Sequence, residues 1–387
     1  MSKLEIPEPN LDHLEFYLEN NISPVRQNIS DLGKHLERRS SLYQQLGLPS
    51  MTFQGKNILE VGPGSGHNSL YVASCKPSSY DLLEPNIRGQ ADIKELYSTT
   101  NDSITKPNLI SKKLEDYYPN KEYDIVICEC WLGVSNHERE MMKKLGSFLK
   151  KGGILITTIG SPLGGLPNAI RRVLGWALLQ DSKDVEKNTE ILKNAYTSHL
   201  DTIKDMSRLY EDWVQDVLIN PAFFLLHPSP GMFIEDIGEK FDIYKTYPKF
   251  TNEWRFYKSL YGDQKQLNQK FLESYYENVH NFFDYLIVLP KQKKDINIQL
   301  EKQSLSLIRS ISEKENKDDL IINNSLKNDI ERIFLILINI NPLWKDPLNE
   351  VLNLINQSKI DVSDIQALKL FDKIFGRELI YATAIKK

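Results

Sequence analysis

One turn limits what this chain can fold into more than any other stretch: Asn57-Ile-Leu-Glu-Val-Gly-Pro-Gly-Ser-Gly-His-Asn68. Asn57 to Val61 is a short apolar run with one acid, Glu60, and reads as a buried strand. Gly62, Gly64 and Gly66 come next, spaced by Pro63 and Ser65, and Asn68 to Ser74 reads as the first turns of a helix. Strand, glycine turn and helix form the first unit of a doubly wound, mostly parallel α/β sheet. A bare backbone in the turn admits a ligand that side chains would exclude, with a helix N-terminus just behind it. The spacing is not the dinucleotide G-x-G-x-x-G. The third glycine comes one residue early, and His67 stands where the dinucleotide glycine would be, which argues against a nicotinamide oxidoreductase. A glycine turn alone is also compatible with a purely structural role, so its weight depends on the rest of the unit.

The run Glu60-Val-Gly-Pro-Gly-Ser-Gly66 resembles motif I of the class I S-adenosylmethionine-dependent methyltransferases. In that family the glycine loop lies against the methionine moiety, so the resemblance implies cofactor contacts at Glu60, Gly62, Pro63, Gly64, Ser65 and Gly66. About eighteen residues on, Tyr80-Asp-Leu-Leu-Glu-Pro-Asn86 reads as a second strand with Glu84 at its carboxyl end. An acid there accepts hydrogen bonds from both ribose hydroxyls, with Pro85 and Asn86 beside it. Leu109 to Lys112 reads as a third strand, followed by Leu114-Glu-Asp-Tyr-Tyr118. The resemblance implies that Glu115 or Asp116 bonds the adenine amine. Lys112 and Lys113 stand where the family often has an Asp, and a solvated acid pair is the other reading. Tyr123 to Trp131 resembles motif IV, a central strand that delivers Glu129 and Trp131 to the carboxyl edge of the sheet. Both are expected near the cofactor, with Glu129 also a candidate base. Helix Glu138 to Leu149, then Lys150-Lys-Gly-Gly153, then strand Ile154 to Ile159 is a recurring late feature of the family. The resemblance covers about residues 55 to 160.

Composition narrows the function classes. A net charge of −4 over 387 residues, with Lys and Arg dispersed, gives no reason to expect nucleic acid, and a tRNA or rRNA methyltransferase is disfavoured. The three cysteines, Cys75, Cys128 and Cys130, make no disulfide framework and no zinc spacing, and no metal is expected. With no signal peptide and no apolar run of about 18 residues, the expectation is a cytoplasmic protein without a membrane span.

Residues 1–10 are Pro-rich and read as loose. Leu11 to Glu19 and Pro24 to Leu46 carry helical spacing, giving an N-terminal helical region over 1–50. The methyltransferase-like domain is expected over 51–262. A helical insertion at about 161–222 opens with Ser161-Pro-Leu-Gly-Gly-Leu-Pro167, read as a loop and lid hinge. Phe223 to His227 and Phe241 to Tyr244 are candidate strands around a turn at Pro228-Ser-Pro-Gly231. The pieces Arg208-x-x-x-Asp-Trp-Val214, Asn220-Pro221 and Pro248-x-Phe-x-x-x-Trp-Arg-x-Tyr-Lys258 more loosely resemble bacterial methyltransferases associated with surface-polysaccharide gene sets. Asp212, Trp213, Trp254, Arg255 and Tyr257 suit a sugar, with aromatic faces for its C–H groups and charged forks for its hydroxyls. Packing residues are the other reading. From 263 to 387 the pattern is a C-terminal helical region, its last helix Asp361 to Phe375 stopping at Gly376, and it is a candidate dimer interface.

The resemblance implies S-adenosylmethionine as cofactor and an activated methyl that an acceptor attacks in line. A hydroxyl acceptor also needs a base, for which His137 and His67 are candidates, with His227 a third. The leading expectation is O-methyl transfer to a small-molecule or glycan hydroxyl. The alternatives are N-methyl transfer to an amine metabolite or amino sugar, and a catalytically silent scaffold.

Overall fold

Strand β1 (Asn57–Val61) is buried on both faces, as an unbroken apolar run at the centre of a parallel sheet must be. In the computed structural model, which describes residues 12–23, 26–100, 103–179, 184–223, 227–250 and 252–387, β1 pairs in parallel with β2 (Ser79–Leu83) and β4 (Tyr123–Cys128). The register runs Ile58 to Tyr80 and Ile58 to Ile125. β3 (Asn108–Ile110) extends the sheet beyond β2, and β5 (Leu149–Gly160) lies beyond β4. β7 (Leu379–Lys386) is antiparallel to both β5 and β6 (Phe241–Tyr247), completing the order β3-β2-β1-β4-β5-β7-β6. The strand order therefore reverses between β1 and β4, and their carboxyl ends flank the crevice where such sheets bind ligands.

Helices α1 (Leu32–Gln45), α2 (Ser69–Ser74) and α3 (Ile87–Thr99) cover one face around Tyr43, Leu46, Leu70, Ile93 and Tyr97. Helix α4 (Asn136–Ser147) opens with a capping box between Ser135 and Glu138. It packs on α5 (Pro230–Ile237), where Arg139 forks onto Asp236 at 2.7 to 3.1 Å.

The chain divides into two compact units. The sheet unit comprises Tyr17–Gly160, Leu226–Tyr275 and Leu379–Lys387. The helical unit comprises Met1–Phe16, Ser161–Leu225 and Tyr276–Glu378. These units group the segments differently from the linear boundaries expected above. α1 belongs with the sheet rather than to a separate region over 1–50. The insertion and the C-terminal helices form one body, and the chain ends in β7 rather than in helix. The Pro- and Gly-rich run at 161–167 is not a hinge loop: Pro162–Trp176 is one helix. A Cβ on Gly164 would fall 2.1 Å from the Arg377 carbonyl oxygen, and one on Gly376 would fall 1.9 Å from the Gly164 oxygen. These glycines serve close approach of two backbones, not flexibility. Gly376 therefore does not cap a helix, and the last one ends at Gln366. Pro230–Ile237 is likewise helical rather than the turn between two strands. The expectations for residues 1–10 and for Phe223 to His227 fall wholly or partly outside the described residues, and helix α1 starts at Leu32 rather than near Pro24.

Within the helical unit, Arg171 is fully buried and donates to the carbonyls of Ile374, Phe371 and Asp372. Arg172 forks onto Glu315 and onto the carbonyls of Val217 and Asn220. These two arginines satisfy backbone groups that the apolar helices leave buried. No helix among the described residues is long and apolar enough to cross a membrane.

Candidate active site

The turn after β1 has φ values of +70°, +58° and +78° at Gly62, Gly64 and Gly66, conformations that side-chain-bearing residues avoid. The Gly62 N–H donates to the Leu83 carbonyl at 2.9 Å, which ties the turn to the end of β2. Glu84 leaves β2 at that point and is 3% exposed. One of its oxygens accepts from the Gly64 N–H at 2.8 Å, the other from the Asn86 N–H at 2.8 Å. The first turn of α3 closes the arrangement, since a Cβ on Gly89 would lie 2.8 Å from the Gly64 carbonyl oxygen. Asn86 caps α3 through the N–H groups of Arg88 and Gly89, so its side chain serves the helix.

Burial pushes the Glu84 carboxyl up to about 7, against the two N–H donors that favour its charged form. Each oxygen keeps a second lone pair for a further donor. A vicinal diol, donating once to each oxygen, completes the set and favours the carboxylate. The donor set therefore fits a ribose.

Glu60 lies deeper. Ser69 donates to it at 2.9 Å, Tyr80 donates to its other oxygen, and burial pushes it up to about 7. These bonds commit Glu60 to joining β1, β2 and α2 beneath the turn.

Beyond β4, Cys130 has a φ of +61°, a strained value for a residue with a side chain, and its N–H is held by Thr158 Oγ1 at 2.7 Å. The kink lays Trp131 on the turn. A Cβ on Gly62 would fall 1.8 Å from its Cδ1 and 2.2 Å from its Nε1. Both Glu129 oxygens accept from the Arg39 guanidinium, at 2.8 and 2.9 Å, and one also accepts from the Tyr43 hydroxyl at 3.0 Å. The pair is about nine-tenths buried on each side, at 9% and 11% exposure. Glu129 is thus held by a guanidinium.

Sequence reasoning missed Arg39. His35, Arg39 and Tyr43 recur every four residues, and all three are buried on one face of α1. That spacing was the available signal within a run that reads as merely charged. His35 Nε2 meets the His67 carbonyl at 3.0 Å. His67 Nδ1 lies 3.3 Å from the Gln27 N–H and 2.7 Å from Ser65 Oγ. Accepting from Gln27 places the neutral ring's proton on Nε2 and gives His67 a role in fastening the N-terminal segment to the turn.

Glu115, after β3, and His137, at the start of α4, form one pair at 2.9 Å. Partial burial raises the Glu115 carboxyl, but bonds from its own backbone N–H and from His137 outweigh this and hold it below the usual range. His137 is more than half exposed. Asp116 is exposed in the same turn.

The residues assigned to a sugar fall in both units. Asp212 and Trp213 are buried in the helical unit, where Trp213 packs edge-on against Phe375. Trp254 and Tyr257 stand exposed on a loop of the sheet unit, and the Arg255 guanidinium is occupied by Glu253. His227 is partly buried, next to Pro228, whose carbonyl accepts from the Gly160 N–H at 3.0 Å.

A seven-stranded sheet of this order, with a glycine turn and a buried acid over it at the switch point, is the class I methyltransferase α/β fold. Comparison with known proteins agrees: residues 27–197 match the family model described as a methyltransferase domain. A malonyl-[acyl-carrier protein] O-methyltransferase of Ilyobacter polytropus is 30% identical over 106 residues, 27% of this chain and 39% of that protein. A ubiquinone biosynthesis O-methyltransferase of Rickettsia bellii is 28% identical over 170 residues, 42% of this chain and 62% of that protein. The chain thus spans less than two thirds of the length of either relative. A methyltransferase structure from Listeria monocytogenes aligns over 56% of this chain and 87% of its own, with 16% identity and a TM-score of 0.33.

Proposed function

We propose that this protein transfers a methyl group from S-adenosylmethionine to a hydroxyl of a small molecule or glycan. The observation that carries the cofactor side is Glu84, a buried carboxyl poised over the glycine turn with one backbone donor on each oxygen. When bound, S-adenosylmethionine supplies an electrophilic methyl on a sulfonium. The protein's part is to hold and orient. Glu84 takes the ribose hydroxyls, beside the turn Gly62–Gly66. Arg39 and Glu129 offer a guanidinium and a carboxylate, the charge complement of an amino acid's carboxylate and ammonium. Trp131 covers Gly62 beside them.

Oxygen as the acceptor atom is supported by the names of the two curated relatives, both O-methyltransferases. A hydroxyl must lose its proton as it attacks. His137 is the group arranged to take it: Glu115 fixes the neutral ring's proton on Nε2 and leaves Nδ1 as the acceptor.

Calorimetric titration with S-adenosylhomocysteine, beside NADH, tests the cofactor. Binding of NADH and not of S-adenosylhomocysteine overturns the reading. Labelled methyl transfer to parallel sets of hydroxyl and amine compounds tests the acceptor atom. With a hydroxyl acceptor, His137→Asn is expected to lower turnover roughly 100-fold or more while S-adenosylhomocysteine binds as before. An unchanged rate removes His137 from the mechanism.

The Glu84 carboxyl also predicts a pH dependence. Its folded pKa is raised to about 7, and ribose donors favour the charged form, so cofactor binding releases a proton. Affinity for S-adenosylhomocysteine is expected to rise roughly tenfold between about pH 6 and pH 8, following the fraction of Glu84 already ionised. Titrations in two buffers of different ionisation enthalpy read the released proton. Glu84→Gln is expected to flatten the profile, and a slope that survives the substitution assigns it elsewhere.

A further inference from the structure

The segment after β6 carries side chains that neither the fold nor the methyl-transfer reading uses. Its base is anchored: Phe250 is buried against Phe271 and Tyr275, with ring centroids 5.6 and 5.7 Å away. Beyond that anchor Arg255 is spent on its own loop. It forks onto Glu253 at 2.6 and 2.9 Å and donates to the carbonyls of Gln264 and Lys265 at 2.6 and 2.7 Å. These bonds clamp the two ends of the loop together and leave the neighbouring rings outside. Trp254 is 93% exposed, Tyr257 69%, Phe256 66% and Tyr261 61%. Four large rings in eight residues stand mostly in water around this clamp, an arrangement that lowers solubility. Such a cluster marks an interaction surface.

Charge selects the partner. Between Tyr244 and Lys265 stand Lys245, Lys249, Arg255, Lys258 and Lys265 against Glu253 and Asp263, so 5 − 2 gives +3 in a chain whose net charge is −4. Lys245, Lys249 and Lys258 are exposed, and the Lys258 ammonium lies 5.8 Å from the Phe256 ring. At the centre of a protein–protein contact charged residues are depleted. Here lysines alternate with the rings. Indole and phenol groups with one wet end, interleaved with lysines, match a headgroup layer, where rings sit at the interface and ammonium groups meet anionic lipid.

We propose that the loop Asn252–Gln264 is a peripheral docking site for the surface of an anionic lipid bilayer, with Trp254 and Phe256 entering the interface and Lys249 and Lys258 bound to its negative charge. The proposal is independent of the methyl-transfer reading.

The test uses the full chain with mixed vesicles of phosphatidylcholine and phosphatidylglycerol, pure phosphatidylcholine vesicles and a thymidine oligonucleotide. Co-flotation with the mixed vesicles alone is expected, falling as salt is raised. Trp254 is the most exposed of the five tryptophans, so emission should shift blue on binding, and Trp254→Phe should remove the shift while leaving flotation. Trp254→Ser with Phe256→Ser is expected to lower vesicle partitioning roughly tenfold or more, and Lys249→Ala and Lys258→Ala roughly fivefold each. Thermal melts matching the parent show that these variants remain folded. No flotation with anionic vesicles, undiminished flotation of the Ser double variant, or tighter binding of the oligonucleotide each overturns the proposal.

Discussion

Glu84→Ala is expected to weaken S-adenosylhomocysteine binding by roughly two orders of magnitude or more. Hydrogen bonds to a charged group are worth about 1.5 to 3 kcal/mol each, and the substitution removes two from the ligand. It also leaves the N–H groups of Gly64 and Asn86 without their acceptor in a place shielded from water, at roughly 1 to 3 kcal/mol for each buried group. The variant is therefore expected to melt lower as well. Glu84→Gln separates the two effects. Its amide oxygen can still accept from one N–H, so it should recover much of the stability. Its NH₂ group faces the second N–H and cannot accept from the second hydroxyl, so affinity should stay low. Calorimetry beside a thermal melt reads both quantities. Parent-like affinity in a folded Glu84→Ala variant would sink the assignment of the ribose site.

The first half of the sheet was legible because each of its elements declares itself locally. An apolar run bounded by a glycine turn makes β1, and an acid at the end of the next apolar run makes β2 with Glu84 at its carboxyl end. The far edge was not legible. β7 reads Leu-Ile-Tyr-Ala-Thr-Ala-Ile-Lys, with Ala and Thr in its centre, and its partner β5 lies more than two hundred residues away. Nothing local predicts that pairing. Gly164 and Gly376 show the same limit from the other side. Each is a helix or turn breaker by itself, and only the two backbones meeting at that point explain both. The Glu115–His137 pair joins residues that lie after different strands, so sequence named both members without showing that they meet.

Arg39 shows what such a long-range pairing is worth. Arg39→Met removes a guanidinium that donates to both oxygens of Glu129 and also donates to Tyr43 at 2.8 Å. Glu129 is then left as a carboxylate about nine-tenths buried, with only the Tyr43 hydroxyl to bond it. Breaking one side of a buried pair costs about 3 to 5 kcal/mol, because the stranded charge keeps its desolvation penalty. For a unit of this size the unfolding midpoint should fall by roughly 10 °C. Adding Glu129→Gln to Arg39→Met removes the stranded charge and keeps an acceptor for Tyr43, so most of the lost stability should return. S-adenosylhomocysteine affinity should not return with it if the pair also serves the amino-acid end of the cofactor, since both charged partners are then gone. Stability and affinity measured around this double-mutant cycle give different answers for a purely structural pair, in which the double variant recovers both, and for a pair that binds ligand, in which it recovers only the first.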